Sequence, residues 1–188
     1  MGKILIITAP SGSGKSTIVR HLLSTIPQTA FSVSAATRSK RANEQDGKDY
    51  YFISVDSFKK YIRQRRFVEW EEVYPSQYYG TLKSEIKRLW RQKKTIIFDV
   101  DVIGATDLKR IFPKKSLAIF IKPPSLEVLK QRLENRHTET PEKIATRLKR
   151  AGQEIQYEHS FDAIVLNDDL HTAQAEAAVL ANKFIFGK

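Results

Sequence analysis

The first seventeen residues constrain the fold more than any other stretch of the sequence. Residues 4–7 (ILII) form a short apolar run, typical of a strand buried on both faces, and residues 9–16 (APSGSGKS) follow it almost directly. An amphipathic helical pattern then begins near Lys15. A strand, a glycine-rich loop and a helix in this order predict a phosphate-binding loop (P-loop).

The residue types in this loop have chemical reasons. Gly12 and Gly14 allow the backbone N–H groups to turn towards an anion, and the start of the helix adds its positive dipole end. Lys15 would reach the β- and γ-phosphates of a nucleotide, and the Ser16 hydroxyl would hold Mg²⁺. A plain turn between two core elements needs neither side chain. The predicted phosphate-binding residues of the loop are Ser11, Gly12, Ser13, Gly14, Lys15, Ser16 and Thr17.

Length and composition fit one globular domain. The 188 residues are 41% hydrophobic and 28% charged, with no cysteine, which excludes disulfides and thiolate metal sites. The N-terminal apolar run is too short for a membrane span and lacks the context of a signal peptide. We therefore predict a cytoplasmic protein with no membrane partner, while the oligomeric state stays undefined.

The net charge of +11 makes nucleic acid a possible partner. Residues 1–150 contain 30 of the 32 basic and 15 of the 21 acidic residues. However, two basic runs, at 59–66 and 83–94, fall on predicted amphipathic helices and are interpreted as solvated faces. No aromatic stacking surface accompanies them, so we predict no nucleic-acid partner. A phosphate-rich small substrate would itself account for the positive field.

The order of elements predicts an α/β fold with a parallel β-sheet core flanked by helices. Apolar strands alternate with helical segments after residue 81, as in right-handed βαβ units, which hold ligands at the carboxyl ends of the strands. Residues 34–80 break this rhythm and indicate an inserted, mostly β substrate subdomain. Strands are expected near 4–7, 31–33, 50–53, 67–73, 95–100, 117–121 and 161–166, and helices near 57–64, 82–93, 103–111, 126–134, 141–157 and 170–186. Asp56 and Ser125 are expected to cap two of these helices.

Two carboxylates lie at the end of a buried strand. Asp99 belongs to the apolar run 95–100, and Asp101 follows it. Because such strand ends hold ligands, Asp99 resembles a Walker B carboxylate, which would orient the water shell of the Mg²⁺ held by Ser16. The alternative is that these carboxylates only cap the next helix.

Seven motifs, in order along almost the whole chain, resemble those of the guanylate kinase family. They are residues 32–41 (SVSAATRSKR), 47–50 (GKDY), 67–70 (FVEW), 78–81 (YYGT), 99–101 (DVD), 123–125 (PPS) and 167–170 (NDDL). The resemblance implies Mg²⁺-dependent transfer of the γ-phosphoryl group of ATP to GMP, and to dGMP. It also implies a single domain with a core (1–33, 82–134 and 158–188), a GMP-binding subdomain (about 34–81) and a lid (about 135–157).

The resemblance assigns residues to GMP. Two arginines and two tyrosines would hold its phosphate, for which guanidinium forks and phenol donors are well suited. Glu69 would accept the N1 and N2 hydrogens of guanine, whereas the N1 acceptor of adenine would repel it. The phosphate ligands are Arg38, Arg41, Tyr50 and Tyr79, and the other GMP-binding residues are Ser34, Glu69, Gly80, Thr81 and Asp101.

The resemblance also assigns residues to transfer and to ATP. Lys15, Arg136 and Arg147 would stabilise the phosphoryl group in transfer, and Arg132 would lie nearer the adenine and the ATP phosphates. The acceptor is an ionised phosphate, so none of the four histidines is needed as a general base. The alternative reading of the lid arginines is ordinary helix-surface charge. Asn167 and Asp168 would meet adenine, with helix capping as an equal alternative.

Four positions depart from the family pattern: Ala9 in the P-loop, Ala36, Ile103 where a glutamine is usual, and His137 where the lid often has glycine. None removes a charged substrate ligand.

Two other functions stay open on the residues: a P-loop kinase of another phosphorylated acceptor, and a phosphopeptide-binding module like those of scaffolding proteins. Glu69 with residues 78–80 disfavours the first, and the retained P-loop and lid arginines disfavour the second.

Overall fold

The computed structural model describes residues 2–135 and 140–187. Over these ranges the chain forms nine strands and seven α-helices. The strands are β1 (Ile4–Thr8), β2 (Thr29–Phe31), β3 (Ser34–Ala36), β4 (Tyr50–Phe52), β5 (Phe67–Tyr74), β6 (Gln77–Leu82), β7 (Thr95–Val100), β8 (Ser116–Lys122) and β9 (Ala163–Leu166). The helices are α1 (Lys15–Thr25), α2 (Val55–Arg63), α3 (Lys83–Arg91), α4 (Val102–Ile111), α5 (Leu126–Glu134), α6 (Pro141–Ile155) and α7 (Leu170–Phe186).

The main sheet has five parallel strands in the order β2-β7-β1-β8-β9. The central strand, β1, pairs with β7 on one side and β8 on the other, so that Leu5 lies opposite both Ile97 and Leu117. The strand order reverses at this point, and open α/β sheets bind ligands beyond the carboxyl ends of the strands there. The predicted α/β fold with a parallel core is confirmed.

Alternate residues of β1 serve the two faces of this sheet, as the period of a strand requires. Leu5 and Ile7 pack with one set of apolar residues on α1 and α7, including Leu22 and Ala177. Ile4 and Ile6 pack with a second set on α3 and α4. Helices on both faces bury the strand completely, which explains its continuous apolar sequence.

A second sheet has the order β4-β3-β6-β5 and packs on α2. It is mixed, because β3 pairs in parallel with β4 but antiparallel with β6. Its small core is built on Phe58, which is fully buried and stacks on Phe67 with a centroid distance of 4.3 Å. Helices α5 and α6 form a separate apolar contact through Leu129, Leu133 and Ile144.

Three local expectations were wrong. Ser54, and not Asp56, caps α2, because its hydroxyl accepts from the Ser57 N–H. The strand expected at 31–33 ends at Phe31, and a separate strand, β3, begins at Ser34. Strand β6 was not predicted as a strand. Ser125 does cap α5, accepting from the Val128 N–H, so that prediction is confirmed.

Helices α2 and α3 end without glycine. Arg65 and Lys93 take the left-handed backbone conformation after these helices, with φ values of 52° and 56°. At α3 the Lys93 N–H donates to the Trp90 carbonyl and the Lys94 N–H donates to the Leu89 carbonyl, which is the Schellman pattern. Glycine usually takes this position because it has no Cβ. Both helix ends therefore hold a basic residue in a costly conformation.

Candidate active site

The loop between β1 and α1 has the backbone geometry of an anion site. Gly12 and Gly14 have φ values of 96° and 87°, which favour glycine. Helix α1 begins at Lys15, and its cap residue, Gly14, offers no side-chain acceptor. The N–H groups of Lys15 and Ser16 at the start of α1 can therefore meet a bound phosphate, and the helix dipole reinforces them, whereas the Thr17 N–H donates to the Gly14 carbonyl over 3.1 Å.

The loop is braced from behind by a buried asparagine. The Asn167 side-chain amide donates to the Ser13 carbonyl over 2.7 Å, and Arg132 donates to the Asn167 carbonyl over 3.0 Å. A Cβ at Gly14 would lie only 2.3 Å from the Asn167 nitrogen. Ser13, Arg132 and Asn167 thus form a support for the loop, while Asp168 is exposed beside it.

Asp99 joins the two side chains that the loop presents. Its carboxylate lies 2.6 Å from the Lys15 ammonium, and the Ser16 hydroxyl donates to its other oxygen over 2.9 Å. Lys15 also donates to the Val100 carbonyl over 2.7 Å. The end of β7 and the start of α1 are therefore held together by one carboxylate.

A second cationic group lies on the other sheet. Arg38 donates to the Tyr79 hydroxyl over 3.1 Å and lies 5.0 Å from the centre of the Tyr50 ring. Burial raises the pKa of Tyr50, so its phenol stays protonated and can donate. Arg41 is well exposed, and its backbone N–H donates to Glu44. We call these four side chains, Arg38, Arg41, Tyr50 and Tyr79, the phosphate clamp, after the role predicted for them from the sequence.

Sequence reasoning did not include Glu44, which pairs with Arg38 through both carboxylate oxygens. Hydrogen bonds from the Arg38 guanidinium lower the pKa of Glu44 to about 2, so the carboxylate is ionised at neutral pH. The signal that was available is its spacing, since Glu44 lies three residues after Arg41 in a polar turn. Glu44 therefore supplies a negative counter-charge next to the phosphate clamp.

Two carboxylates line the same cavity as the clamp: Glu69 lies on β5, and Asp101 lies at the start of α4. Glu69 is only 7% exposed, and burial raises its pKa to about 7, an effect that the polar groups of the paired Thr81 oppose. Asp101 caps α4 by accepting from the Gly104 N–H over 2.8 Å. Both carboxylates face Gly104, where a Cβ would lie 3.0 Å from Glu69 and 3.3 Å from Asp101. The helix-capping alternative is therefore observed for Asp101.

Helix α6 supplies arginines from the opposite side. Arg147 donates to the Ser11 hydroxyl in the P-loop. Arg150, one turn further on, contacts Glu154, Glu71 and Asp101. Arg136 and His137, both singled out in the sequence, lie outside the described residues.

One cavity of about 290 Å³ brings most of these groups together. The predicted residues that line it are Ser11, Gly12, Gly14, Lys15, Ser16, Thr17, Ser34, Arg38, Arg41, Tyr50, Glu69, Tyr79, Gly80, Asp99, Asp101 and Arg147. Ser13, Thr81, Arg132, Asn167 and Asp168 do not line it. Among the lining residues that were not assigned to a substrate are Glu71, Tyr74, Arg150 and Glu154. Glu71 lies two residues after Glu69 on a strand, and this spacing could have indicated a shared face.

The sheet and the cavity define the class of protein. A P-loop after the central strand of a parallel sheet, facing a second cationic clamp across one cavity, is the arrangement of a P-loop kinase with a phosphorylated acceptor. The family model for guanylate kinase matches residues 1–182 of this chain.

Comparison with known proteins identifies the family within this class. The chain is 46% identical over 186 residues to a guanylate kinase of Porphyromonas gingivalis, covering 98% of this chain and 99% of the relative. It is 44% identical to that of Salinibacter ruber, covering 97% and 96%. The crystal structure of guanylate kinase from Anaplasma phagocytophilum matches 98% of this chain and 87% of its own, with a TM-score of 0.80 and 26% identity. The chain belongs to the guanylate kinase family, as its motifs predicted.

Proposed function

We propose that this chain transfers the γ-phosphoryl group of ATP to GMP, giving ADP and GDP. The observation that supports this most directly is the single cavity lined by the P-loop, the phosphate clamp and the buried Glu69. Two phosphorylated substrates can meet in it end to end, and a carboxylate is available beside the acceptor for its base. dGMP, which shares the base and the phosphate, is a second expected acceptor.

ATP binds through the P-loop. The N–H groups of residues 11–17 surround its β- and γ-phosphates, and Lys15 moves from Asp99 to them. Asn167 supports this loop by donating to the Ser13 carbonyl, and Arg132 in turn donates to the Asn167 carbonyl. Asp168 lies exposed near the same edge, where the adenine ring would pack.

The residues at the P-loop fit a Mg²⁺ ion carried by ATP. Mg²⁺ prefers oxygen ligands and keeps several of its waters, so one hydroxyl and one nearby carboxylate are sufficient. The Ser16 hydroxyl and the Asp99 carboxylate lie 2.9 Å apart. No group of three or more His, Cys, Asp or Glu suited to a metal occurs among residues 2–135 and 140–187, in keeping with such a sparse site. Ser16 would ligate the ion directly and Asp99 through water; the ion would supply charge neutralisation at the phosphates.

The phosphate clamp binds the GMP phosphate. Arg38 and Arg41 donate from guanidinium groups, and Tyr50 and Tyr79 donate from phenols, which together suit a dianion. Glu44 must release Arg38 at least in part for this to happen, because it occupies two of the donors.

The buried carboxylates select the base. Ionised Glu69 accepts hydrogen bonds from N1 and N2 of guanine, while Asp101, Ser34, Gly80 and Thr81 complete the pocket. Adenine offers an acceptor at N1, so Glu69 would remain buried without a donor. Burial of the carboxylate makes this mismatch costly, which gives steep discrimination between purines.

The transfer itself needs charge and alignment rather than a base. A GMP phosphate oxygen forms a bond to the γ-phosphorus, while the bond from that phosphorus to the β–γ bridging oxygen of ATP breaks and its electrons go to ADP. Lys15 and Arg147 stabilise the charge on the moving group, and Arg136 is proposed to join them. The hydrogen bond from Arg147 to the Ser11 hydroxyl already joins α6 to the P-loop.

We further propose the three-part organisation and the location of the reaction. Residues 34–81 act as the GMP-binding subdomain and 135–157 as a lid, both closing over the core formed by 1–33, 82–134 and 158–188. Closure excludes water and so limits ATP hydrolysis. No helix in the described parts of the chain is long and apolar enough to cross a membrane. We place the reaction in the cytoplasm, where ATP and GMP are both available.

An ADP-release assay tests the proposal. The purified chain is given ATP and Mg²⁺ with GMP, dGMP, AMP, CMP or UMP as acceptor. Rapid ADP release is expected with GMP and dGMP, and little with the other three. Equal turnover with AMP would contradict the assigned role of Glu69, and no turnover with any acceptor would contradict the proposed reaction.

A further inference from the structure

Arg150 connects three parts of the molecule through one side chain. It lies on α6, and its Nε donates to Glu154 on the same helix over 2.7 Å. Its Nη1 donates to the Val73 carbonyl on β5 over 2.7 Å. Its Nη2 lies 3.4 Å from Glu71 on β5 and 3.3 Å from Asp101 at the start of α4. All three guanidinium nitrogens are therefore engaged.

Asp101 is shared between Arg150 and the base pocket. One of its oxygens accepts from Gly104, and the other faces Arg150. The oxygen bonded to Gly104 lies on the same side as Glu69, because a Cβ at Gly104 would approach both carboxylates. The orientation of Asp101 is thus fixed from two sides, by the α4 backbone and by the Arg150 side chain.

Arg150 joins this stretch of α6 to β5 and α4 beside an open space. The apolar side of α6 packs on α5 through Ile144, Leu148 and Ala151. Between α6, β5 and α4 lies an open cavity of about 920 Å³, bordered by Ile103, Lys149 and Arg150. The Arg150 hydrogen bonds therefore run from α6 to the other two elements at the border of this cavity.

Charge explains why this position requires an arginine. Three carboxylates, Glu71, Asp101 and Glu154, converge on its guanidinium. Burial and the neighbouring Asp101 raise the pKa of Glu71, because a second negative charge in this cluster is unfavourable. A planar fork can serve several acceptors at fixed angles, whereas the point charge of a lysine cannot.

We propose that Arg150 is a positioning residue for guanine recognition, which holds the Asp101 carboxylate towards the base and ties α6 to the base pocket. The inference rests on the proposed role of Asp101 in binding guanine. Arg147 lies three residues earlier on the same helix, so the link that orients Asp101 also holds the catalytic arginine over the P-loop. Occupation of the base pocket and the position of Arg147 are then coupled.

The proposal makes a specific statement about the base. Guanine has two N–H donors on its Watson–Crick edge, at N1 and N2, while the hypoxanthine of IMP has only N1. Glu69 can accept from N1 in both bases. If Asp101 contributes to binding of the 2-amino group, its misorientation weakens GMP binding more than IMP binding.

The experiment compares Arg150→Gln with Lys149→Gln, which removes the same charge from an exposed neighbour on α6. Steady-state KM and kcat are measured for GMP, IMP and ATP, and thermal unfolding is measured in parallel. For Arg150→Gln we expect KM for GMP to rise about tenfold, as for loss of one charge-assisted hydrogen bond. The preference for GMP over IMP should fall, and KM for ATP should change less than about twofold. Lys149→Gln should resemble the wild type in all three.

Arg150→Lys gives a second test, because it retains the positive charge at this position. The positioning role can then still be tested if Arg150→Gln does not fold. Its KM for GMP should lie between those of the wild type and Arg150→Gln. The inference is overturned if KM for GMP is unchanged in Arg150→Lys and Arg150→Gln, or if KM rises equally for GMP, IMP and ATP, which would indicate a merely structural role.

Asp101→Asn separates this inference from the proposed function. If Asp101→Asn raises KM for GMP and the Arg150 variants do not, the base pocket stands and the positioning role is wrong. If the Arg150 variants raise KM for GMP and Asp101→Asn does not, Arg150 does not act through Asp101, and the proposed role of Asp101 is wrong as well.

Discussion

The pKa of Glu69 predicts that GMP affinity depends on pH in the neutral range. The side chain is 7% exposed, and burial raises its pKa from 4.5 to about 7. Only the ionised carboxylate can accept both guanine N–H groups, since the protonated form presents a donor of its own. GMP binding should therefore weaken as the pH falls through 7.

The size of the effect follows from the ionised fraction. With a pKa of about 7, the carboxylate is about 90% ionised at pH 8 and about 10% ionised at pH 6. KM for GMP should consequently be about tenfold higher at pH 6 than at pH 8. Ionisation of Glu69 on GMP binding should also release close to one proton at pH 6, because guanine stabilises the charged form.

The GMP phosphate titrates near pH 6 as well, so a matched variant is required. Glu69→Gln cannot ionise but leaves the phosphate and its clamp unchanged. Its KM for GMP should be raised about tenfold or more at pH 8, for loss of a charged acceptor. Its remaining pH dependence should be that of the phosphate alone, and the difference between the two profiles reports Glu69.

The raised pKa of Glu69 also makes the free energy of unfolding of the protein depend on pH. Because the folded-state pKa lies above the ordinary value of 4.5, the protein loses stability as the pH rises from about 4.5 through about 7. A shift of 2.5 units corresponds to about 3 kcal/mol at most. Glu69→Gln should therefore gain stability relative to the wild type over this window, measured by urea unfolding. Parallel KM profiles in the two proteins, with no stability difference, would refute the reasoning.

Three further substitutions test other parts of the structure. Lys15→Ala should lower kcat by orders of magnitude with little change in the far-UV circular dichroism, and near-normal turnover would contradict its role. Gly14→Ala should raise KM for ATP and lower the melting temperature, because φ is 87° and a Cβ would meet Asn167 at 2.3 Å; unchanged values in both assays would show that the loop adapts. Lys93→Gly should stabilise the chain by about 1 kcal/mol, since it relieves a left-handed lysine after α3, with unchanged kcat. A lower melting temperature for Lys93→Gly would mean that the side chain stabilises that turn.

Most of the core could be predicted because its signals are local. The run 4–7, the P-loop and the strand 95–100 each have a pattern that only one kind of element satisfies. Strand β3 was missed because three residues give too short a pattern and its partners, β4 and β6, lie further along the chain. Strand β6 pairs with β5 across a two-residue turn, but its sequence (QYYGTL) lacks a regular alternation of apolar and polar residues. The helix ends at Arg65 and Lys93 were also beyond prediction, since the usual glycine is not there.

The candidate site divides in the same way. The proposed substrate ligands could be named from motifs, because each motif has a fixed spacing. Glu71 and Arg150 contact protein groups on separate elements, and such contacts arise only when β5, α4 and α6 come together. Glu44 pairs with Arg38 in the same loop but lies outside the seven motifs. Sequence reasoning therefore named proposed ligands more readily than the groups that contact them.

Two of the cations proposed to bind substrates are each paired with a protein carboxylate, which a ligand must displace in order to bind. Lys15 is paired with Asp99, and Arg38 is paired with Glu44. Each carboxylate is tethered next to its cation and so competes at a high effective concentration. Chloride or a singly charged phosphodiester has too little negative charge and too few acceptor atoms to displace this carboxylate. The terminal phosphate of a nucleotide brings two negative charges and three oxygens. The enzyme can thus be strongly basic in a cell crowded with polyanions and still reserve these two positions for terminal phosphates.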